Sequence, residues 1–191
     1  MKICVFCASS AKVAPVFFEA AKTVARVIAA GGHTIVYGGG AVGLMGALAD
    51  AALACHAKVI GILPHFMRQV EWQHNELTEL TLVDTMHERK ALMIAGADAV
   101  VALPGGSGTL EELMEVITLK RLGQFTKPIV IVNTNGFYDP LLALFDRMAD
   151  EHFMRPEHRE AWTVTARAED VLTAIEHAKP WSNEAIHFAA V

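Results

Sequence analysis

The chain has 191 residues, 53% of them hydrophobic, and a formal net charge of −5. That length buries one sizeable core, and no linker or charge block divides it, so a single domain over residues 1–179 with a tail at 180–191 is expected. Scattered Lys and Arg form no basic stripe for a nucleic acid or an anionic membrane, and no run reaches the roughly 18 apolar residues of a spanning helix. Because the opening residues also lack a signal-peptide pattern, the expectation is a cytoplasmic protein that acts on a small molecule and binds neither nucleic acid nor membrane.

Apolar runs rich in β-branched residues recur at 3–7, 34–37, 58–63, 99–103 and 128–132. Helical periodicity fills the stretches between and after them, at 15–30, 43–55, 86–95, 109–122, 138–151 and 168–179. This alternation predicts a Rossmann-like α/β domain, a doubly wound parallel sheet with helices on both faces. Residues 64–84 show no clear period until a strand-like 80–83 and read as a loop at the carboxyl edge of the sheet, where open α/β folds place ligands. Cys4 and Cys7 have C-x-x-C spacing on a strand, so their side chains point to opposite faces. They and Cys55 are expected to be buried or half-buried thiols rather than a redox pair.

The first glycine motif, residues 38–43, matches G-x-G-x-x-G between a strand and a helix. A dinucleotide site would need an acid at the end of the next strand, and residues 58–65, KVIGILPH, contain none. That absence disfavours a dinucleotide and gives more weight to two other readings: a tight turn for close strand–helix packing, or a loop lining a mononucleotide site. Met86, His87, Glu88, Arg89 and Lys90 open the next helix. Taken alone, the Arg–Lys pair fits a solvated surface, and Ala91 stands where H-E-x-x-H zinc binding needs its second histidine.

The most informative stretch is PGGSGTLEE, residues 104–112, which reads strand, glycine loop, helix. Outward-facing amides and the positive end of the helix dipole make Gly105, Gly106, Ser107, Gly108 and Thr109 a candidate phosphate cradle. No Walker lysine follows, which disfavours ATP hydrolysis. Thr109 and Glu112 have the T-x-x-E spacing of a capping box, so Glu112 could simply close the helix. Glu111 supplies a second acid where one satisfies a cap, and a carboxylate in the first turn beside a phosphate loop lies near a bound nucleotide; both points favour chemistry.

Together the glycine motif with Gly43, Leu44, Met45 and Gly46, the M-H-x-R-K segment and the PGGxGTxxE motif resemble the LONELY GUY (LOG) family over residues 2–159. The resemblance implies a phosphoribohydrolase that cuts the N-glycosidic bond of cytokinin riboside 5′-monophosphates, and often of AMP, releasing base and ribose 5-phosphate. It makes Glu112 the catalytic carboxylate and Arg89 the catalytic arginine. Glu71, Met86, Lys90, Gly39, Gly40, Leu110 and Glu111 join the cradle residues as substrate-binding positions, with no metal and no cofactor. Many relatives carry the label lysine decarboxylase, but nothing in this sequence specifies a pyridoxal-phosphate enzyme. The chain departs from the family at Ala8, Ser107, Lys120 and Arg121.

The chemistry agrees with those residues. N-glycosidic cleavage builds positive charge on the ribose and negative charge on the base, and a carboxylate and a guanidinium oppose those charges. LOG-like proteins are homodimers whose neighbours complete each other's sites, and a mean hydropathy of +0.33 fits a helical face buried against a partner. The rival class is a nucleotide-binding carrier or sensor that hydrolyses nothing.

Overall fold

Seven strands, β1 (Lys2–Phe6), β2 (Thr34–Tyr37), β3 (Val59–Pro64), β4 (Glu79–Val83), β5 (Ala99–Ala102), β6 (Ile129–Val132) and β7 (Thr163–Thr165), form one sheet in the order β4-β3-β2-β1-β5-β6-β7. The computed structural model describes residues 1–68 and 72–189, and every strand pair in it is parallel. Helices α1 (Pro15–Ala30), α2 (Gly43–Ala54), α3 (Met86–Ile94), α4 (Ser107–Arg121), α5 (Asp139–Asp150) and α6 (Val171–Glu176) cover both faces.

The central strands are buried on both faces, which is why they read as unbroken apolar runs. Strand alternation divides the core. Ile3 and Val5 pack with α1, α2 and α6, while Cys4 and Phe6 pack with α3, α4 and α5. Cys4 and Cys7 therefore fall on opposite faces as expected and are buried, whereas Cys55, just past α2, is exposed. The chain runs outward from β1 to β4 and returns to β5 on the other side of β1. The carboxyl ends of β1 and β5 thus form the topological switch point where such sheets leave a crevice.

Several boundaries differ from the sequence reading. Residues 79–83 form a full edge strand, and β7 was not anticipated: its three residues are partly or fully exposed and carry no apolar run. The last helix is shorter than 168–179, a 3₁₀ turn at Ala168–Asp170 leading into α6. Among the described residues no helix is long and apolar enough to cross a membrane.

The tail packs on the carboxyl end of α4. Trp181 Nε1 donates to the Lys120 carbonyl at 2.7 Å, and Arg121 Nη2 donates to the Ala189 carbonyl at 3.3 Å. Lys120 is only 2% exposed; its amine donates to the Lys127 carbonyl at 2.8 Å and sits 5.7 Å from the Trp181 ring centre. Burial pulls this amine down to about 8. Its folded value lies below its unfolded value, so the native state binds fewer protons between about pH 8 and 10.5, and stability rises with pH in that window. Lys120→Met is therefore expected to exceed the wild type in stability below pH 8 and to lose that advantage by pH 10.5. Urea unfolding across this range checks the slope, and a parallel pH dependence of the two proteins would exclude the buried charge as its source.

Candidate active site

The glycine loop after β5 is fixed at its start, through both polar groups of the Leu103 backbone. Leu103 N–H donates to the Phe6 carbonyl at 2.9 Å, and the Tyr138 hydroxyl donates to the Leu103 carbonyl at 2.8 Å. Helix α4 then starts at Ser107 with Gly106 as its N-cap and no side-chain cap. Thr109 is thus inside the helix, and Thr109 and Glu112 form no capping box. Glu112 lies in the second turn, not the first.

Gly105 is glycine because a β-carbon there would overlap the Thr109 side chain. A β-carbon on Gly106 or Gly108 would meet nothing within 4 Å. Their bareness leaves open space beside the first-turn amides, which have no acceptor within the helix and can receive an anion.

A true capping box opens the neighbouring helix α3. Thr85 Oγ1 accepts from Glu88 N–H at 3.1 Å, and the Glu88 carboxylate accepts from Thr85 N–H at 3.3 Å and Asp84 N–H at 2.9 Å. This anchors the helix one residue before Arg89, which is 4% exposed and not on a solvated face. Its Nε donates to the Ile62 carbonyl at 3.2 Å and its Nη2 to the Gly38 carbonyl at 2.8 Å. The thioethers of Met67 and Met86 flank Nη1 at 3.6 and 3.9 Å. A β-carbon on Gly38 would overlap Nη2, so this glycine is what admits the guanidinium.

The rest of the first glycine motif serves packing. Gly43, at φ +67°, lies against the Ser9 backbone, and Gly46 lies against the Ala41 carbonyl, both too closely for a side chain. The amides of Leu44 and Met45 at the start of α2 donate to the Ala8 carbonyl at 2.9 and 3.2 Å. That helix end is satisfied within the protein, while the start of α4 faces open space. The tight-turn reading holds here, and only Gly38 and Met45 of this region line the cavity.

The cavity occupies the switch-point crevice and measures about 260 Å³, near the lower end of the roughly 300–1,000 Å³ of small-molecule sites and small for a dinucleotide. Arg89, Glu112, Met86, Gly106, Ser107, Gly108 and Thr109 line it, as do Phe6, Cys7, Ala8, Ser9, Met67 and Met93. An anion cradle, a buried cation and a carboxylate thus face one space. Burial first, and then the negative charge of Glu112, push the Cys4 thiol up.

Other expected positions lie elsewhere. Lys90 forms ion pairs with Glu111 and, at 2.8 Å, with Glu115, so Lys90 and Glu111 tie α3 to α4 instead of lining the cavity. Gly39, Gly40, Gly105 and Leu110 are likewise outside its lining, and Glu71 falls outside the described residues. No group of three or more His, Cys, Asp or Glu side chains among the described residues could hold a metal ion.

Residues 45–175 match the family described as "Possible lysine decarboxylase". A rice (Oryza sativa subsp. japonica) protein described as "Probable cytokinin riboside 5′-monophosphate phosphoribohydrolase" is 42% identical, the match spanning 92% of this chain and 78% of the relative. A cytokinin riboside 5′-monophosphate phosphoribohydrolase of Arabidopsis thaliana is 41% identical across 94% of this chain and 84% of the relative. The molybdenum cofactor carrier protein of Chlamydomonas reinhardtii shares the fold, with a TM-score of 0.69, 19% identity and coverage of 93% of this chain and 96% of the carrier.

Proposed function

This chain belongs to the LONELY GUY family, and from that membership we propose that it hydrolyses nucleoside 5′-monophosphates, cytokinin riboside monophosphates and AMP among them, to free base and ribose 5-phosphate. The observation that carries the proposal is the convergence of the α4 amides, Arg89 and Glu112 on one cavity at the switch point. In this reading the phosphate rests at Gly106, Ser107, Gly108 and Thr109 and fixes the sugar, so remote binding energy assists the reacting centre. Glu112 opposes the charge that develops on the ribosyl group and orients the attacking water. Arg89 opposes the charge on the departing base. No lysine lines the cavity among the described residues, so it offers no amine for a pyridoxal Schiff base.

Incubation with AMP and with isopentenyladenosine monophosphate, followed by chromatography for free base, tests the proposal. Release of adenine or isopentenyladenine supports hydrolysis and ranks the two substrates. Nucleotide binding without base release would instead support a carrier or sensor.

The phosphate position has its own test. Gly108→Ala places a methyl in the open cradle while replacing the poorest non-proline helix former with the best. It is expected to raise stability by about 0.5–1 kcal/mol and to raise KM by on the order of tenfold. Thermal unfolding and steady-state kinetics measure both, and an unchanged KM would remove the phosphate from this turn.

We also propose a cytoplasmic homodimer with composite sites. Its support is the high mean hydropathy together with exposed Phe66, Trp72 and Phe153, the last 75% exposed. Light scattering is expected to give twice the 20.7 kDa chain mass, and a monomer at micromolar concentration would overturn it.

A further inference from the structure

One buried histidine outside the cavity links the connection between β3 and β4 to the loop that holds Arg89. Residues 72–76 lie on the first glycine motif as a strap: Ala41 N–H donates to the Trp72 carbonyl at 2.9 Å, His74 N–H donates to the Gly39 carbonyl at 3.1 Å, and Gly40 and Gln73 form an antiparallel bridge. Trp72 is held at φ +49°, a backbone conformation that bulky residues rarely adopt and that persists only where surrounding contacts over-determine it. The His74 ring anchors the strap two residues further on. It is 7% exposed, its Nδ1 accepts from Glu76 N–H at 3.2 Å, and its Nε2 lies 3.0 Å from Asp50 Oδ1 on α2. An acceptor at Nδ1 leaves the proton on Nε2, so the ring donates to Asp50 and is held in a single tautomer and orientation.

The strap has two routes to Arg89. Through Gly39 it sets the loop whose preceding residue, Gly38, accepts from Nη2. Earlier in the same connection, Met67 sits 3.6 Å from Nη1 and lines the cavity. The Arg68 side chain donates to Gln73 Oε1 at 2.7 Å, which joins the Met67 end of the connection to the strap.

We propose that His74, held by Asp50, is a positioning residue that pins this strap to the glycine loop and so fixes the Arg89 guanidinium for catalysis. The inference rests on the hydrolase reading for its kinetic consequence but not for its structural one. His74 and Asp50 do not line the cavity, and the phosphate cradle belongs to a different element, so loss of the strap should affect turnover and leave anchoring of the substrate intact.

The test uses the full chain and four variants. Asp50→Ala, at a largely exposed carboxylate, and His74→Leu are expected to lower kcat by about tenfold or more, with KM and the Kd for ribose 5-phosphate unchanged within about twofold. Asp50→Asn, which keeps an acceptor for Nε2, and His74→Gln, which keeps a polar side chain there, are expected to restore much of the loss. The ¹⁵N–¹H signal of Arg89 Nε is read alongside, because its shift reports the guanidinium whether or not the protein turns over. Two results would overturn the proposal: kcat and the Arg89 signal unchanged in Asp50→Ala, or parallel loss of kcat, binding and melting temperature in every variant. If the wild type releases no base, the hydrolase reading fails, and the Arg89 signal still decides whether the strap positions that side chain.

Discussion

Glu112→Gln is expected to lower turnover of nucleoside monophosphates by on the order of a hundredfold or more, with melting temperature and ribose 5-phosphate affinity little changed. The substitution is nearly isosteric and removes only the charge and the basicity. A glutamate that merely closed a helix would tolerate it, because Gln is accepted in a capping box. The structure leaves no such role: α4 begins at Ser107, its N-cap is Gly106, and Glu112 stands in the second turn facing the cavity. A carboxylate that stabilises a ribosyl cation, or orients and deprotonates water, acts in the transition state, so its loss should appear in kcat and hardly in KM. Near-normal base release by Glu112→Gln would sink the catalytic assignment. Release reduced only in proportion to a fall in melting temperature would count against it as well.

Why Glu112 and Arg89 line the cavity while their sequence neighbours do not is a matter of helix geometry. Consecutive helical residues point about 100° apart. Arg89 therefore turns into the cavity while Lys90 turns outward to Glu111 and Glu115. Likewise Glu112 turns inward and Glu111 outward. A motif written in one dimension groups these pairs, and only the neighbouring helix separates them.

The same geometry holds a signal that the sequence reading did not use. Met86 and Met93 are three and four residues from Arg89 on α3, the spacings that share a helix face, and both line the cavity with it. Met67 had no such signal, because it sits in a short 3₁₀ turn inside a stretch without periodicity. The interior strands were legible as β-branched runs, whereas β7, an edge of three residues with Val164 exposed, has no buried side to leave a pattern.

The first glycine motif yields the second large prediction, because adjacent glycines there do different things. Gly38→Ala is expected to lower kcat by on the order of a hundredfold with nearly native stability. The backbone at Gly38 does not require glycine by its dihedrals, since it is not among the residues with positive φ, so the variant should fold. Its new methyl overlaps Nη2 of Arg89, the far end of a long side chain, so the guanidinium moves and the backbone stays.

Gly39→Ala should show the reverse. Gly39 has φ +82° and lies against Leu63, so alanine costs about 1–2 kcal/mol of strain and reaches the cavity only indirectly. Arg89→Lys serves as the reference: one ammonium cannot reproduce a planar fork that bonds the Ile62 and Gly38 carbonyls together. Its kcat loss should match that of Gly38→Ala, and the double variant should lose no more than either alone, because both changes remove the same guanidinium from its place. Additive losses would mean that Gly38 acts apart from Arg89. Full activity in Gly38→Ala would mean that the position of Arg89 in this structure is not the one in which it works.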